Sequence, residues 1–230
     1  MNKGLKIGLF LGAIGFIAIG VVFIIPWGNA ESEVEKSEVE VPVETVETVN
    51  DIILNDMSEI TGAYVSQDNL DKVTSEIMFH ITGPQDATGS FKKFTINFNS
   101  DSDSDYTKAS ISVVIDPLSV YTANKMRDES IKGEGFFESE NFPEIRFNSS
   151  QIAIGDTSYI ALGTLFMLGV EKEITVNFMY KGKGKNVEGK SVIIFQGEFT
   201  LDRTEHGMKE TAGIGNNVEV SFYTELILKK

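Results

Sequence analysis

The sequence predicts an all-β domain of eight antiparallel strands that closes into a barrel, carries a short helical lid, and is preceded by one N-terminal transmembrane helix. Three observations predict this. From Val73 to Leu228 apolar and polar residues alternate in short runs, the period-2 signature of half-buried strands. Turns rich in Gly, Asp or Asn, such as Gly155-Asp156 and Gly215-Asn216-Asn217, separate those runs. The uncharged apolar run Ile7–Ile25 would reach about 28 Å as a helix, close to the roughly 30 Å hydrocarbon thickness of a bilayer.

Lys3 and Lys6 precede that apolar run and glutamates follow it, so the amino terminus is expected to stay in the cytoplasm and the remainder to be exported, with Trp27 at the outer interface. The competing reading is a cleaved secretory signal, because Gly28-Asn29-Ala30 offers small residues just after Pro26. Either reading places the domain outside the cytoplasm, periplasmic or extracellular, membrane-anchored in the first case and secreted in the second. Gly8 and Gly12 form a G-x-x-x-G spacing of the kind that pairs membrane helices, which would admit a homodimer. Residues 1–28 are thus the anchor or signal and 29–51 an acidic, flexible, solvated linker broken by Pro42, in which high charge without large apolar residues cannot offset the entropy of ordering. Residues 52–230 are the barrel domain; Ile52–Ile60 gives no strong signal.

The strands are expected at Val73–Thr82, Gly89–Asn99, Thr107–Asp116, Ile145–Ala153, Tyr159–Leu168, Glu173–Lys181, Ser191–Asp202 and Val218–Leu228. A meander of eight strands can close on itself and so remove its edges. The connection Ile115–Phe147 is too long for a hairpin. Thr122 or Asn124 can cap a helix running to Lys132, and Gly133 would end it. At eight strands the interior is either filled by side chains or just wide enough for one small ligand, and periodicity does not choose between the two. The inward set comprises Ile77, Phe79, Phe94, Ile111, Val113, Phe147, Leu165, Met167, Phe178, Phe195, Phe199 and Phe222, with Phe136 and Phe137 at a mouth.

Composition narrows the function. A net charge of −14 on 230 residues argues against a nucleic-acid partner, which needs Lys and Arg to neutralise phosphates. The absence of cysteine excludes disulfides, a thiol nucleophile and Cys-based zinc sites. Asp101, Asp103 and Asp105 resemble the opening of a calcium loop, but Tyr106 stands where the turn glycine belongs and the bidentate glutamate is missing, so no metal is expected. His80 is expected outward, opposite in phase to Ile77, Phe79 and Ile81, and His206 falls in a turn. No nucleophile elbow and no phosphate loop is present, so no catalytic residue, no cofactor and no enzyme activity are expected.

The order I-D-x-x-S-V-x-T-x-N-x-x-R-D-x-x-I-K-x-x-x-F-F-x-x-x-x-F-P-x-I-x-F over Ile115–Phe147 resembles the signature of the YceI-like family. The resemblance extends to Ser75–Phe79, Gly89-Ser90-Phe91, Gly163–Gly169 and Leu201-Asp202-Arg203 followed by Gly207, and so covers roughly Tyr64–Leu228. It implies a lipocalin-like barrel that binds a polyisoprenoid or a related amphiphile, such as an isoprenoid quinone, and it favours the open interior over a filled structural or partner-binding barrel. Arg127-Asp128 and Asp202-Arg203 belong to this pattern and are read as paired with helix ends, turn carbonyls or each other rather than with a ligand head. Gly83, Leu168, Glu171 and Glu173 depart from the family pattern, the first two where relatives carry histidine and a polar or basic residue. Those departures bear on recognition of a ligand's head.

Overall fold

A computed structural model describes residues 30–39, 54–67, 73–101 and 105–229. Its strands are β1 (Glu38–Val39), β2 (Gly62–Ser66), β3 (Ser75–Ile81), β4 (Ala87–Phe91), β5 (Phe94–Ser100), β6 (Ser110–Ile115), β7 (Val120–Tyr121), β8 (Ile145–Ile154), β9 (Tyr159–Met167), β10 (Val170–Lys185), β11 (Ser191–Asp202) and β12 (Asn217–Leu228), with one helix, α1 (Lys125–Lys132). Eight of them close a ring in the order β2, β5, β6, β8, β9, β10, β11, β12 and back to β2, every pairing antiparallel.

Seven of the eight expected strands lie in this ring; the expected Val73–Thr82 is β3, outside it, and the ring is completed by β2, which the periodicity did not predict, while three staves are broken. Toward the lid, β3 replaces β2 along β12, β4 replaces β5, and β7 replaces β6. Lys92 and Lys93 make one break, where their backbone N–H groups bond to Ser119 instead of a neighbouring strand. The upper end is therefore split between β7 and β8, and the connection carrying α1 leaves from that split. The run Ile7–Ile25 lies outside the described residues; among those described, no helix is long and apolar enough to cross a membrane.

The lid helix begins where the sequence offers two caps, and Asn124 takes the role. Its side chain accepts from the N–H groups of Met126 and Arg127 at 3.1 and 3.2 Å, while Thr122 turns the other way and donates its N–H and hydroxyl to Asp128 at 2.8 and 2.6 Å. Gly133 ends the helix as expected. At the opposite end, Met57 and Ile60 are fully buried and plug the barrel. The Tyr159 hydroxyl accepts from Met57 N–H and donates to the Asn55 carbonyl, which locks the plug to β9.

Residues 30–39, expected as part of a solvated linker, lie against the outside of the barrel. β1 pairs with the end of β10, and Val34 and Val39 pack on Val192, Ile194 and Tyr223. The Ser37 N–H donates to the Glu225 carboxyl at 2.9 Å, and Lys36 sits over the Tyr223 ring. Alternation turns Tyr223 and Glu225 outward on β12, yet both are buried because this segment covers them.

Candidate functional site

Two apolar chambers occupy the barrel. The upper one, about 580 Å³, lies beneath α1 and the Phe136–Phe137 corner; the lower one is about 110 Å³. Ile77, Ile115, Ile145, Leu165, Phe199 and Val220 line both, so the chambers meet at one constriction. Below it, rings replace space. Phe98 and Phe195 have centroids 5.3 Å apart, Phe195 and Phe178 5.8 Å, and Phe178 and Tyr159 5.7 Å. The question of a filled or open interior is answered by position along the barrel: filled at the plugged end, open at the lid end.

Backbone glycines make room for the packed wall. A Cβ on Gly163 would stand 2.4 Å from the Asn148 carbonyl oxygen and 2.7 Å from the Phe147 ring. One on Gly197 would meet the Phe222 ring at 2.7 Å. Both phenylalanine rings occupy space that a side chain at the glycine would need.

Of the residues expected inward, Phe79, Phe136, Phe137 and Met167 line the upper chamber, Ile111, Val113, Phe147, Phe178, Phe195 and Phe222 the lower, and Ile77, Leu165 and Phe199 both. Phe94 lines neither; it is half-buried beside the break between β4 and β5 and packs on the core. Sequence reading missed Ile115, Ile145, Val218 and Val220, whose phase along their strands carries the same signal, and Met208 and Ile214, which sit in an aperiodic loop and give none.

The polar lining gathers toward the lid: Gln85, Asp86, Asn124, Arg127, Ser130, Arg203 and Thr211 stand on the wall of the upper chamber, whereas among the described residues Thr224 is the only polar one on that of the lower. Asp86 is engaged by His80 at 2.8 Å, on the outward face where the alternation placed that histidine. Arg203 is fully buried. Its Nε and Nη1 donate to the carbonyls of Gly215 and Lys209 at 2.9 and 2.6 Å, the turn-carbonyl role expected of it. Burial lowers its pKa, against the opposing pull of Asp202 and Glu210. His206, in the adjoining turn, is also buried, and desolvation, followed by the charge of Lys172, pushes its pKa down. The β9–β10 hairpin closes on Leu168 and Gly169, both with positive φ (52° and 77°), the backbone of a two-residue primed turn. Among the described residues, no three His, Cys, Asp or Glu side chains come together in a way that could hold a metal.

A family model described as YceI-like domain matches residues 69–226. A UPF0312 protein of Staphylococcus epidermidis is 29% identical over 162 residues, covering 66% of this chain and 91% of that relative. Burkholderia cenocepacia BcnA superposes with a TM-score of 0.56 at 21% identity, over 66% of this chain and 95% of its own. A polyisoprenoid binding domain from Saccharophagus degradans, implicated in plant cell wall breakdown, superposes with a TM-score of 0.52 at 14% identity, over 74% of this chain and 100% of its own. At these identities the structural likeness bears on the fold.

Proposed function

The chain belongs to the YceI-like family, and from that premise we propose that its barrel binds and carries a long-chain apolar or amphipathic lipid, a polyisoprenoid or an isoprenoid quinone, outside the cytoplasm and without chemistry of its own. The observation that carries this reading is the open upper chamber. Its 580 Å³ falls within the roughly 300–1,000 Å³ of small-molecule sites, and its wall is apolar except toward the lid. The Saccharophagus domain of the same fold, called polyisoprenoid binding, supports the same ligand class. Energetics allow it. Burying about twenty methylene-sized groups at roughly 0.8 kcal/mol each gives some 16 kcal/mol gross, which exceeds the upper part of the roughly 4–15 kcal/mol cost of association.

Export is supported by the apolar run Ile7–Ile25 with lysines only on its amino side. Cell fractionation of the full chain should leave it in the membrane pellet after a high-salt wash, its carboxy-terminal domain reached only by protease added outside the cytoplasm; a soluble form beginning at Glu31 would identify the run as a cleaved signal. For the ligand, native mass spectrometry of the chain purified from Glu31 onward should show a bound long-chain lipid. A protein that carries none, and takes up none when offered isoprenoid quinone, overturns the carrier reading.

A further inference from the structure

Three exposed apolar side chains fall in one short stretch at the lid: Leu118 is 48% exposed, Tyr121 39% and Met126 80%. Met126, the most exposed large apolar residue among those described, also lines the upper chamber. It therefore stands on the rim where that chamber opens to the outside. Basic residues gather about the same face, where Tyr121 of β7 pairs with Ser90 of β4. Residues 87–100 and 117–127 carry Lys92, Lys93, Lys125 and Arg127 and no acid, on a chain whose net charge is −14. Glu33 and Asp116 pair with Lys92 and Lys93 at 2.9 and 3.2 Å, and the Lys92 ammonium lies 4.7 Å from the centroid of the Tyr121 ring.

The amino-terminal segment reaches the barrel at this same face. Ser32 donates its hydroxyl to Glu76 at 2.7 Å, Glu33 meets Lys92 beside Tyr121, and Ala30 is buried. Only residues 26–29 separate Ala30 from Ile25, the last residue of the apolar run, and at roughly 3.6 Å per residue that connection reaches at most about 18 Å. Resting on the anchored form of the export reading, we infer that Leu118, Tyr121 and Met126 dock on the surface of the bilayer that holds the anchor, so that the rim of the upper chamber faces lipid. A tyrosine is at home at the level of the lipid heads, and lysines there lay their stems on apolar surface and turn their ammonium groups to phosphate. Three side chains are a small contact for a free protein, but a tether this short makes the docking intramolecular and raises its effective concentration. The acids spread over the remaining surface disfavour any other face against an anionic leaflet. A lipid then passes between bilayer and chamber without crossing water.

The test uses the full chain, whose lack of cysteine makes one introduced thiol the sole labelling site. Met126→Cys at the rim and Ile154→Cys at the plugged end, where Ile154 is exposed, each receive a small environment-sensitive fluorophore. Both proteins are reconstituted into vesicles of an equimolar mixture of phosphatidylglycerol and phosphatidylcholine brominated in its acyl chains. Flotation after a high-salt wash reports the anchor, and quenching by bromine reports contact with the bilayer. The label at position 126 should lose most of its fluorescence and shift to the blue, while the label at 154 keeps its intensity. Adding Leu118→Glu and Tyr121→Glu, both at exposed positions, should restore the fluorescence at 126 without changing flotation or circular dichroism. Chains that float with both labels quenched alike, with neither quenched, or with only the label at 154 quenched overturn the docking and leave the anchor standing. Quenching at 126 that survives the two glutamates also overturns it, because the contact then does not depend on this patch. A chain that fails to float overturns the anchor and the docking together.

Discussion

Phe199 and Phe178 provide the sharpest separation between the open and filled parts of the barrel. Phe199 lies at the constriction with the 580 Å³ chamber above it, whereas Phe178 is 2% exposed and wedged between Tyr159 and Phe195. Replacing either by tryptophan adds the same ring. At Phe178 the added atoms meet packed aromatics, and overpacking of that kind costs roughly 1–3 kcal/mol. For a domain of this size each kilocalorie moves Tm by about 2–4 °C, so Phe178→Trp should melt about 2–12 °C lower. At Phe199 the indole can turn into vacant space, and the cost should be smaller by at least about 1 kcal/mol. Its effect should fall on the ligand instead, because a filled constriction shortens the chain the chamber can hold. The assay pairs scanning calorimetry with native mass spectrometry of bound lipid. Equal destabilisation by both variants, or full lipid occupancy in Phe199→Trp, would refute the division of the interior into an open and a filled half.

Other consequences are measurable. Because burial depresses the pKa of His206, the unfolded chain takes up a proton below the ordinary value of 6.5 that the folded chain refuses, so stability should decline as pH falls from about 6.5; His206→Phe should flatten the melting temperature through that window and leave the separate loss below about pH 4.5, where Glu134, Asp56, Asp105 and Asp202 protonate, untouched. Gly163→Ala places a methyl group 2.4 Å from a backbone oxygen that cannot withdraw, and urea denaturation should show a loss of roughly 1–3 kcal/mol or more. Ser37→Pro removes the N–H that serves the buried Glu225 carboxyl, a loss of roughly 1–3 kcal/mol; limited proteolysis should then cut within residues 30–39 while wild-type protein resists, and equal resistance would show that this contact does not hold the segment down.

Most of the staves were legible because a strand with one wet face repeats every second residue, and the lid because Asn124 and Gly133 are cap residues at the right separation; β2, ahead of the first expected strand, was not. The breaks in three staves were not, since a stave that changes neighbour at Lys92-Lys93 keeps its alternation. Nor was the plug: Met57 and Ile60 are three residues apart in a stretch without a period, and their burial depends on Tyr159, about a hundred residues on. Glu225 shows the same limit from the other side. Its phase says outward and its charge says solvent, yet Val34 and Val39 cover that face from a segment whose glutamates dominate its composition. At the site, phase found most of the wall. It could not find Met208 or Ile214, and it could not show that Arg203, held by turn carbonyls as expected, also borders the chamber.

The most direct test of the account is to locate a bound chain. Crystals of the domain grown with a long-chain isoprenoid bearing a bromine at its tail should show one anomalous peak inside the barrel, near the constriction formed by Ile77, Leu165 and Phe199, with the head under the lid helix. Bromine found only on the outer surface, or an upper chamber occupied by ordered water while the lipid is present at saturating concentration, would contradict it.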